Sequence, residues 1–578
     1  MKNTDMKKTD KTYRNILYTA DGEKLSTMPW DVYPRPRLVR DSFFCLNGEW
    51  ELTATDGEKY KIRVPFPPES ALSGVGKRMG ANPHIIYKKS FALPENFIRE
   101  RVILHFGAVD QIAEVTLNGK FLGKHIGGYE HFSFDVTDYL KDVNELTLVV
   151  TNADNPLSLP YGKQCEKSGG MWYTPVTGIW QTVWLESVPK NYVTELSTKV
   201  EGNKVEITAL GVSNGEVILE LDGKSIKADL INGKAQLTLD TVKEWSPEEP
   251  YLYRYTVEAQ GDRVESYFAA RKVSIEERNG KKLICLNSKP VFLHGLLDQG
   301  YFSDGIFTPA TPEEYKRDIL SMKALGFNLL RKHIKVEPDI FYYYCDLYGM
   351  MVMQDMVNNG DYSFIRDTAL PTVGLQKRND KNLHRDKETR KAYEDGMVST
   401  VNALREYPCI VAWTVFNEGW GQFCSQEMYQ KIKSLDNTRV VDTASGWFSG
   451  AESDVESQHV YFKPFKVKKE YDRPLFLSEF GGYACRIDGH IFNPNNEYGY
   501  KSFKTAKELE DAFVELYKNE IIPAIKKGLC GTVYTQVSDV EDETNGLLTY
   551  DRRVCKVDEK RIKALSDEIF SAFDSENK

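Results

Sequence analysis

The 578-residue chain has no apolar run near the roughly 18–20 residues that span a bilayer. Its start, Met1 to Tyr13, is polar and lysine-rich, and no apolar stretch follows, so no signal peptide is expected. Cysteine is sparse: nine residues (45, 165, 285, 345, 409, 424, 485, 530, 555), scattered, odd in number and without CxxC spacing. That excludes a disulfide framework or a zinc site and points to reduced thiols in a cytoplasmic protein. Positive charge is in deficit, with Lys plus Arg at 75 against Asp plus Glu at 84, a net −9. Nucleic acid is therefore excluded as the main partner, because phosphate binding needs a basic surface, although a local basic pocket stays open. A Gly-rich phosphate loop, a G-x-S-x-G elbow and His/Asp/Glu spacings suited to a metal are also missing. No cofactor, metal or membrane partner is expected; a homo-oligomer is compatible with the sequence.

Aromatic residues are plentiful. The chain carries 28 Phe, 32 Tyr and 9 Trp, or 12%, within an ordinary balance of 41% hydrophobic and 28% charged residues. Disorder is excluded as the main state. Aromatics of this number either fill cores or form flat platforms for sugar rings. At roughly 100–200 residues per domain the length allows about three or four domains.

Three textures follow one another. Residues 1–188 read as all-β, with short β-branched or aromatic runs such as Arg101–Phe106, Ala113–Leu117 and Glu145–Thr151. Asn118-Gly119 marks a hairpin turn. This predicts a jelly-roll β-sandwich. Residues 189–275 carry alternating strands near Lys204–Leu210, Glu216–Leu221, Ala235–Leu239 and Tyr251–Ala259, which predicts an immunoglobulin-like sandwich. From 276 to 578, eight apolar strands alternate with amphipathic helices, which predicts a (β/α)8 barrel. One helix opens at Thr311-Pro312-Glu313-Glu314 and ends at Gly326.

In such a barrel the chemistry sits where strands end. Glu418 directly follows Val411–Asn417, the fourth strand, and Glu479 follows Leu475–Ser478, the seventh. Paired carboxylates across a barrel mouth suit glycoside hydrolysis: one protonates the leaving oxygen, the other attacks the anomeric carbon or activates water. Their environments must hold one protonated and one ionised.

The segment Trp413-Thr414-Val415-Phe416-Asn417-Glu418-Gly419-Trp420-Gly421 resembles the Asn-Glu acid/base signature of glycoside hydrolase family 2. Phe476-Leu477-Ser478-Glu479-Phe480-Gly481-Gly482 resembles that family's nucleophile segment, and Gly178–Leu185 resembles the end of its sugar-binding sandwich. The family contains bacterial β-galactosidases, β-glucuronidases and β-mannosidases, and its domain order matches the three textures. The resemblance implies Glu418 as general acid/base, Glu479 as nucleophile and Asn417 on the sugar 2-hydroxyl. It implies retention through a covalent glycosyl-enzyme, with carboxyl groups roughly 5–5.5 Å apart.

Other strand ends fill the expected pocket. The resemblance places Arg331 beside the nucleophile, where its charge keeps Glu479 ionised. His333 follows Arg331 by two residues, where many relatives have a histidine at three. Asp355 matches an acidic end of strand three, and Tyr461 resembles the tyrosine that hydrogen-bonds the nucleophile. His294 and Asp298 follow strand one, Asp298 being a candidate for a pair of sugar hydroxyls. Tyr534 or Gln536 lines the pocket at strand eight. Trp420, Phe480, Tyr461, Tyr534 and Trp447 are the platform candidates. Large β-galactosidases of the family use magnesium near the acid/base; Asp355 matches an acid of that site, but Met356 and Val357 stand where a histidine is needed, so none is expected here.

The substrate is expected to be a terminal β-glycoside, with β-galactoside first. β-Glucuronide, β-mannoside, β-galactofuranoside and α-L-arabinopyranoside are the alternatives behind it. The family's glucuronidases bind the sugar carboxylate with an Asn-x-Lys motif near the barrel's end. Asn545-Gly546-Leu547 has no such lysine, although Arg486, Arg552 or Arg553 offers a substitute cation. A carbohydrate-binding protein without catalysis is the remote alternative. Loops 358–390 and 484–503 lie on the expected active-site face and read either as a lid or substrate wall or as surface loops.

Overall fold

The computed structural model describes residues 14–577 apart from 373–374, 376–378 and 449–451, and part of the loop expected over 358–390 thus lies outside the described residues. The first part of the chain is a jelly-roll sandwich of a four-stranded and a six-stranded sheet. Strand alternation builds it: in Asn144–Thr151 the apolar Leu146, Leu148 and Val150 are buried, while Glu145 is exposed. They join Leu104, Phe106, Val115 and Leu185 in one core. Asn118 and Gly119 both take positive φ at the expected hairpin between Ile112–Leu117 and Lys120–Ile126.

The immunoglobulin-like part runs through seven strands from Glu195–Glu201 to Asp262–Phe268, around a separate core that includes Val205, Ile207, Val217, Leu219, Tyr255 and Val257. The hairpin Val273–Arg278 with Lys281–Leu286 then leads into the barrel.

The barrel strands are β1 (Leu293–Asp298), β2 (Leu329–Lys332), β3 (Met351–Asp355), β4 (Ile410–Asn417), β5 (Val440–Ser445), β6 (Glu456–Val460), β7 (Leu475–Gly481) and β8 (Leu529–Thr535). They pair in parallel in the order β5-β4-β3-β2-β1-β8-β7-β6. Strands β1 to β5, β7 and β8 are buried at every residue, which explains their continuous apolar runs. At the seam between β5 and β6, Ser445 Oγ lies 3.1 Å from Ser457 Oγ, and Gly446 N donates to Ser457 Oγ. Pairing slips by a bulge between Gln458 and His459 against β7, and between Leu477 and Phe480 against β8. Bulges beside a site re-aim side chains; these two aim His459 and Glu479 into the barrel mouth.

The first sandwich reaches onto that mouth. Its segment 155–177 is pinned to barrel loops: Tyr161 Oη donates to Gly360 O (2.7 Å), Tyr173 Oη to Glu543 Oε2 (2.9 Å) and Thr174 N to Glu541 Oε1 (2.8 Å). Trp172 stacks on Trp420 with centroids 5.4 Å apart. Among the described residues, no helix is long and apolar enough to cross a membrane.

Candidate active site

Arg331, at the end of β2, organises the site. It is fully buried, so every donor needs a partner. Nε donates to both oxygens of Asp355 (3.0 and 3.1 Å), Nη1 to Glu479 Oε1 (3.0 Å) and Ser478 O (3.1 Å), and Nη2 to Asn417 Oδ1 (2.8 Å). One guanidinium thereby fixes β3, β4 and β7 relative to each other. Asp355 also accepts from His333 Nδ1 (2.7 Å). Burial, then the nearby Lys163, push the His333 imidazole down to about 4, so it is neutral at ordinary pH.

Glu479 receives a second bond from Tyr461 Oη (2.6 Å), which also touches Thr535 Oγ1 at 2.9 Å. Burial alone would raise this carboxyl; His459 and Arg331 outweigh it and hold the group well below the usual carboxylate range. Glu418 moves the other way: burial, with the Glu479 charge added, raises it. The two acids are thus pushed in opposite directions, Glu479 toward the ionised form and Glu418 toward the protonated one. Their nearest oxygens lie within 4.8 Å of each other.

His459 stands between the acids. Nδ1 is 2.8 Å from Glu418 Oε1 and 3.6 Å from Glu479 Oε2. Arg331 Nη1 faces Nε2 at 3.3 Å, and Ser445 Oγ lies 3.1 Å from it. Nδ1–H thus faces Glu418 Oε1, the contact that lowers that acid. The acidic proton of Glu418 is left to Oε2. Sequence spacing did not reveal this Glu418–His459–Glu479 group, whose donor atoms lie close enough together to hold a cation. Here they are engaged with one another, with Arg331 and with Tyr461.

Glu418 itself takes φ +51°, the left-handed region, which costs a β-carbon residue about 1 kcal/mol or more. Glu418 N donating to Ser445 O (3.0 Å), Trp447 Nε1 donating to Glu418 O (3.2 Å) and Trp420 N donating to Asn417 O (2.9 Å) hold the turn. On this turn, among the described residues, the buried donors Asn417 Nδ2 and Trp420 Nε1 are left without a partner. Buried donors are seldom orphaned, so both are suited to substrate oxygens.

Several expected pocket residues are placed elsewhere. His294 does not reach the site; its ring packs 4.3 Å from Phe327, and Nε2 lies 3.1 Å from Ser566 Oγ of the last helix. Asp298 is bound to Lys332 Nζ (2.7 Å) and Gly300 N (2.9 Å). The reason is parity. In the register of β1 against β2, Asp298 sits opposite Lys332 and Leu297 opposite Arg331, so Asp298 and His294 share the outward face. Tyr534 pairs with outward Leu296 and packs against Phe480 and Phe513, its Oη accepting from Tyr483 N. Phe480, edge-on to Tyr517, is likewise a packing residue. Gln536 is fully buried behind the site, donating to Glu543 Oε2 and Asn545 Oδ1 (both 2.7 Å). Asp355 has both oxygens engaged by Arg331 and His333, so it positions these two residues rather than meeting a sugar. Arg552 is drawn to Asp318 (3.4 Å), and Arg553 to Glu23 (2.7 Å).

Three residues of the site escaped the sequence. His459 carried a signal: it lies two residues before Tyr461, and period-2 alternation puts both on one face. Lys163 and Trp172 carried none, because they come from another domain.

The first sandwich, residues 43–189, matches the model described as "Glycosyl hydrolases family 2, sugar binding domain"; residues 184–271 match "Glycosyl hydrolases family 2", and 277–561 match "Glycosyl hydrolases family 2, TIM barrel domain". A β-galactosidase of Thermoanaerobacter pseudethanolicus is 26% identical over 61% of this chain and 47% of its own length. A putative β-glucuronidase of Formosa agariphila is 26% identical over 71% and 51%. The chain thus spans about half the length of these curated relatives. Among solved structures, a β-D-glucuronidase of Dictyoglomus thermophilum superposes with TM-score 0.73 at 18% identity, covering 93% of this chain and 98% of that one. A β-galacturonidase from Eisenbergiella tayi gives 0.67 at 19%, covering 93% and 99%. At these identities the structures show a shared fold. With three consecutive matches to models of a single family, the chain belongs to glycosyl hydrolases family 2.

Proposed function

We propose that the protein is a retaining, exo-acting β-glycosidase with Glu479 as nucleophile and Glu418 as general acid/base. The observation that carries this reading is the pair itself: two buried carboxylates, nearest oxygens within 4.8 Å, one raised and one lowered by its surroundings. That spacing suits direct attack; inversion needs about 6.5–9.5 Å to admit a water between carboxylate and sugar. In the first step Glu479 attacks the anomeric carbon while Glu418 Oε2 gives its proton to the departing glycosidic oxygen. In the second, Glu418 takes a proton from water, the resulting hydroxide attacks the anomeric carbon, and Glu479 leaves. Asn417 Nδ2 is free to bond the 2-hydroxyl, a contact that strengthens as the oxocarbenium-like state forms. Arg331 and Tyr461 keep Glu479 ionised and aimed. Trp172, Trp420 and Tyr362, mutually packed at 5.1–5.5 Å, wall one side of the pocket, which favours a terminal sugar.

The sequence reading favoured a β-galactoside, and the relatives' names include galactosidase, glucuronidase and galacturonidase. A screen of aryl β-galactoside, β-mannoside, β-glucuronide, β-galactofuranoside and α-L-arabinopyranoside tests the reading. Turnover of at least one, abolished in Glu479→Gln, is expected. Sugar binding without turnover of any would establish the non-catalytic alternative.

A further inference from the structure

The hydrolytic steps leave Lys163 unused. It lies on the segment of the first sandwich pinned to the barrel mouth and is only 7% exposed. Its carbonyl accepts from Tyr173 N (3.0 Å), which fixes the stem. Its ammonium stands 5.6 Å from the ring centre of Tyr173 and 5.7 Å from that of Trp420. Nζ makes no hydrogen bond or ion pair with any described residue. The Trp420 ring it faces stands two residues beyond Glu418, which places it beside the acid/base, and its charge is felt by His333, Glu543 and Glu418. Glu543 does not neutralise it: the two are beyond ion-pair distance, and Glu543 Oε2 is bonded by Tyr173 and Gln536.

Among the described residues, Arg331 is saturated, Arg552 and Arg553 pair with Asp318 and Glu23, and Arg486 Nη2 is held by Asn493 O. A lysine whose stem is buried and whose ammonium meets no counter-charge among the described residues is left to pair with what enters the pocket. Two aromatic faces hold the ammonium in place. A ligand anion would pair with its charge, whereas a sugar hydroxyl gives one hydrogen bond and no charge.

We propose that Lys163 is the specificity-determining cation of this site and binds an anionic substituent on the terminal sugar, a carboxylate or a sulfate ester. The protein then prefers acidic β-glycosides to their neutral counterparts. The inference rests on the β-glycosidase reading for its substrate, but binding tests it separately. The family's Asn-x-Lys position lacks its lysine here, and the first sandwich supplies the charge instead.

The test uses the full chain, Lys163→Met and Lys163→Arg. Each is assayed with matched aryl β-hexosides, β-hexuronides and sulfated β-hexosides, and titrated calorimetrically with free hexose, hexuronate and hexose sulfate. Wild type should favour one anionic series over its neutral match in kcat/KM by about 30-fold or more, the scale of one buried charge contact. Lys163→Met should erase that ratio and Lys163→Arg should retain most of it. Preference for the hexuronide identifies a carboxylate, and preference for the sulfated hexoside a sulfate ester. Equal or better turnover of neutral sugars by wild type overturns the inference, as does a Lys163→Met variant that lowers both series with their ratio intact. If nothing is hydrolysed but hexuronate or hexose sulfate binds in a Lys163-dependent way, the inference stands and the glycosidase reading falls. If neither binds nor turns over, both fall.

Discussion

Two charge networks lie back to back on β2, separated by a single residue. Arg331 faces into the barrel and gathers Asp355, Glu479 and Asn417. Lys332 faces outward, between Asp298 (2.7 Å) and Glu337 (2.8 Å), with the Phe341 ring 4.3 Å away. Glu337 is further held by Tyr315 Oη (2.6 Å) and Lys335 (2.9 Å). Both networks are buried and rich in ion pairs. They differ in completeness: among the described residues the outer one closes on itself, while the inner one has unfilled donors at Asn417 Nδ2 and Trp420 Nε1 and the Lys163 ammonium over the Trp420 ring. Buried charge alone does not mark a functional site. Buried charge beside unsatisfied donors, with two acids shifted in opposite directions, does.

Breaking the inner network at its acid should have the largest effect. Glu418→Ala is expected to slow poor leaving groups by about 1,000-fold and activated aryl groups far less, because only the former need protonation. Steady-state rates across a series of aryl leaving groups check this, and equal loss throughout would remove Glu418 from the acid role. Breaking the outer network should cost stability instead. Lys332→Met strands Asp298, and about 3 kcal/mol of unfolding free energy should be lost in denaturant titration. Its kcat/KM per folded molecule should stay near wild type; a large fall would mean that the two networks are coupled through β2.

A smaller, sharper contrast lies in pH dependence. Glu479 must be ionised and Glu418 protonated, so kcat/KM falls as pH drops through the first group's pKa and as it rises through the second's. His459 lowers both acids. In His459→Ala both limbs of the profile should therefore move to higher pH, with a loss of about 30-fold at the optimum. A purely structural role would lower the profile without moving its limbs.

The barrel was legible because its parallel strands are buried on both faces and read as apolar runs that end in polar residues. Glu418 and Glu479 stand out for that reason. Which polar residues face inward was less legible, since strand parity decides it. Arg331 was assigned inward, but His294, Asp298 and Tyr534 were grouped with it although their parity turns them out. His459 was readable from its spacing to Tyr461. Lys163 and Trp172 were not, because no local pattern tells which loop of one domain will cover the mouth of another.

The central claim is that Glu479 forms a covalent bond to the sugar. The most direct measurement is mass spectrometry of the protein after reaction with a 2-deoxy-2-fluoro glycoside of the sugar it turns over, bearing an activated leaving group. The slowed second step should leave one glycosyl group on the peptide containing Glu479. A label on Glu418, or none while turnover of the parent glycoside releases the inverted anomer, would contradict the account.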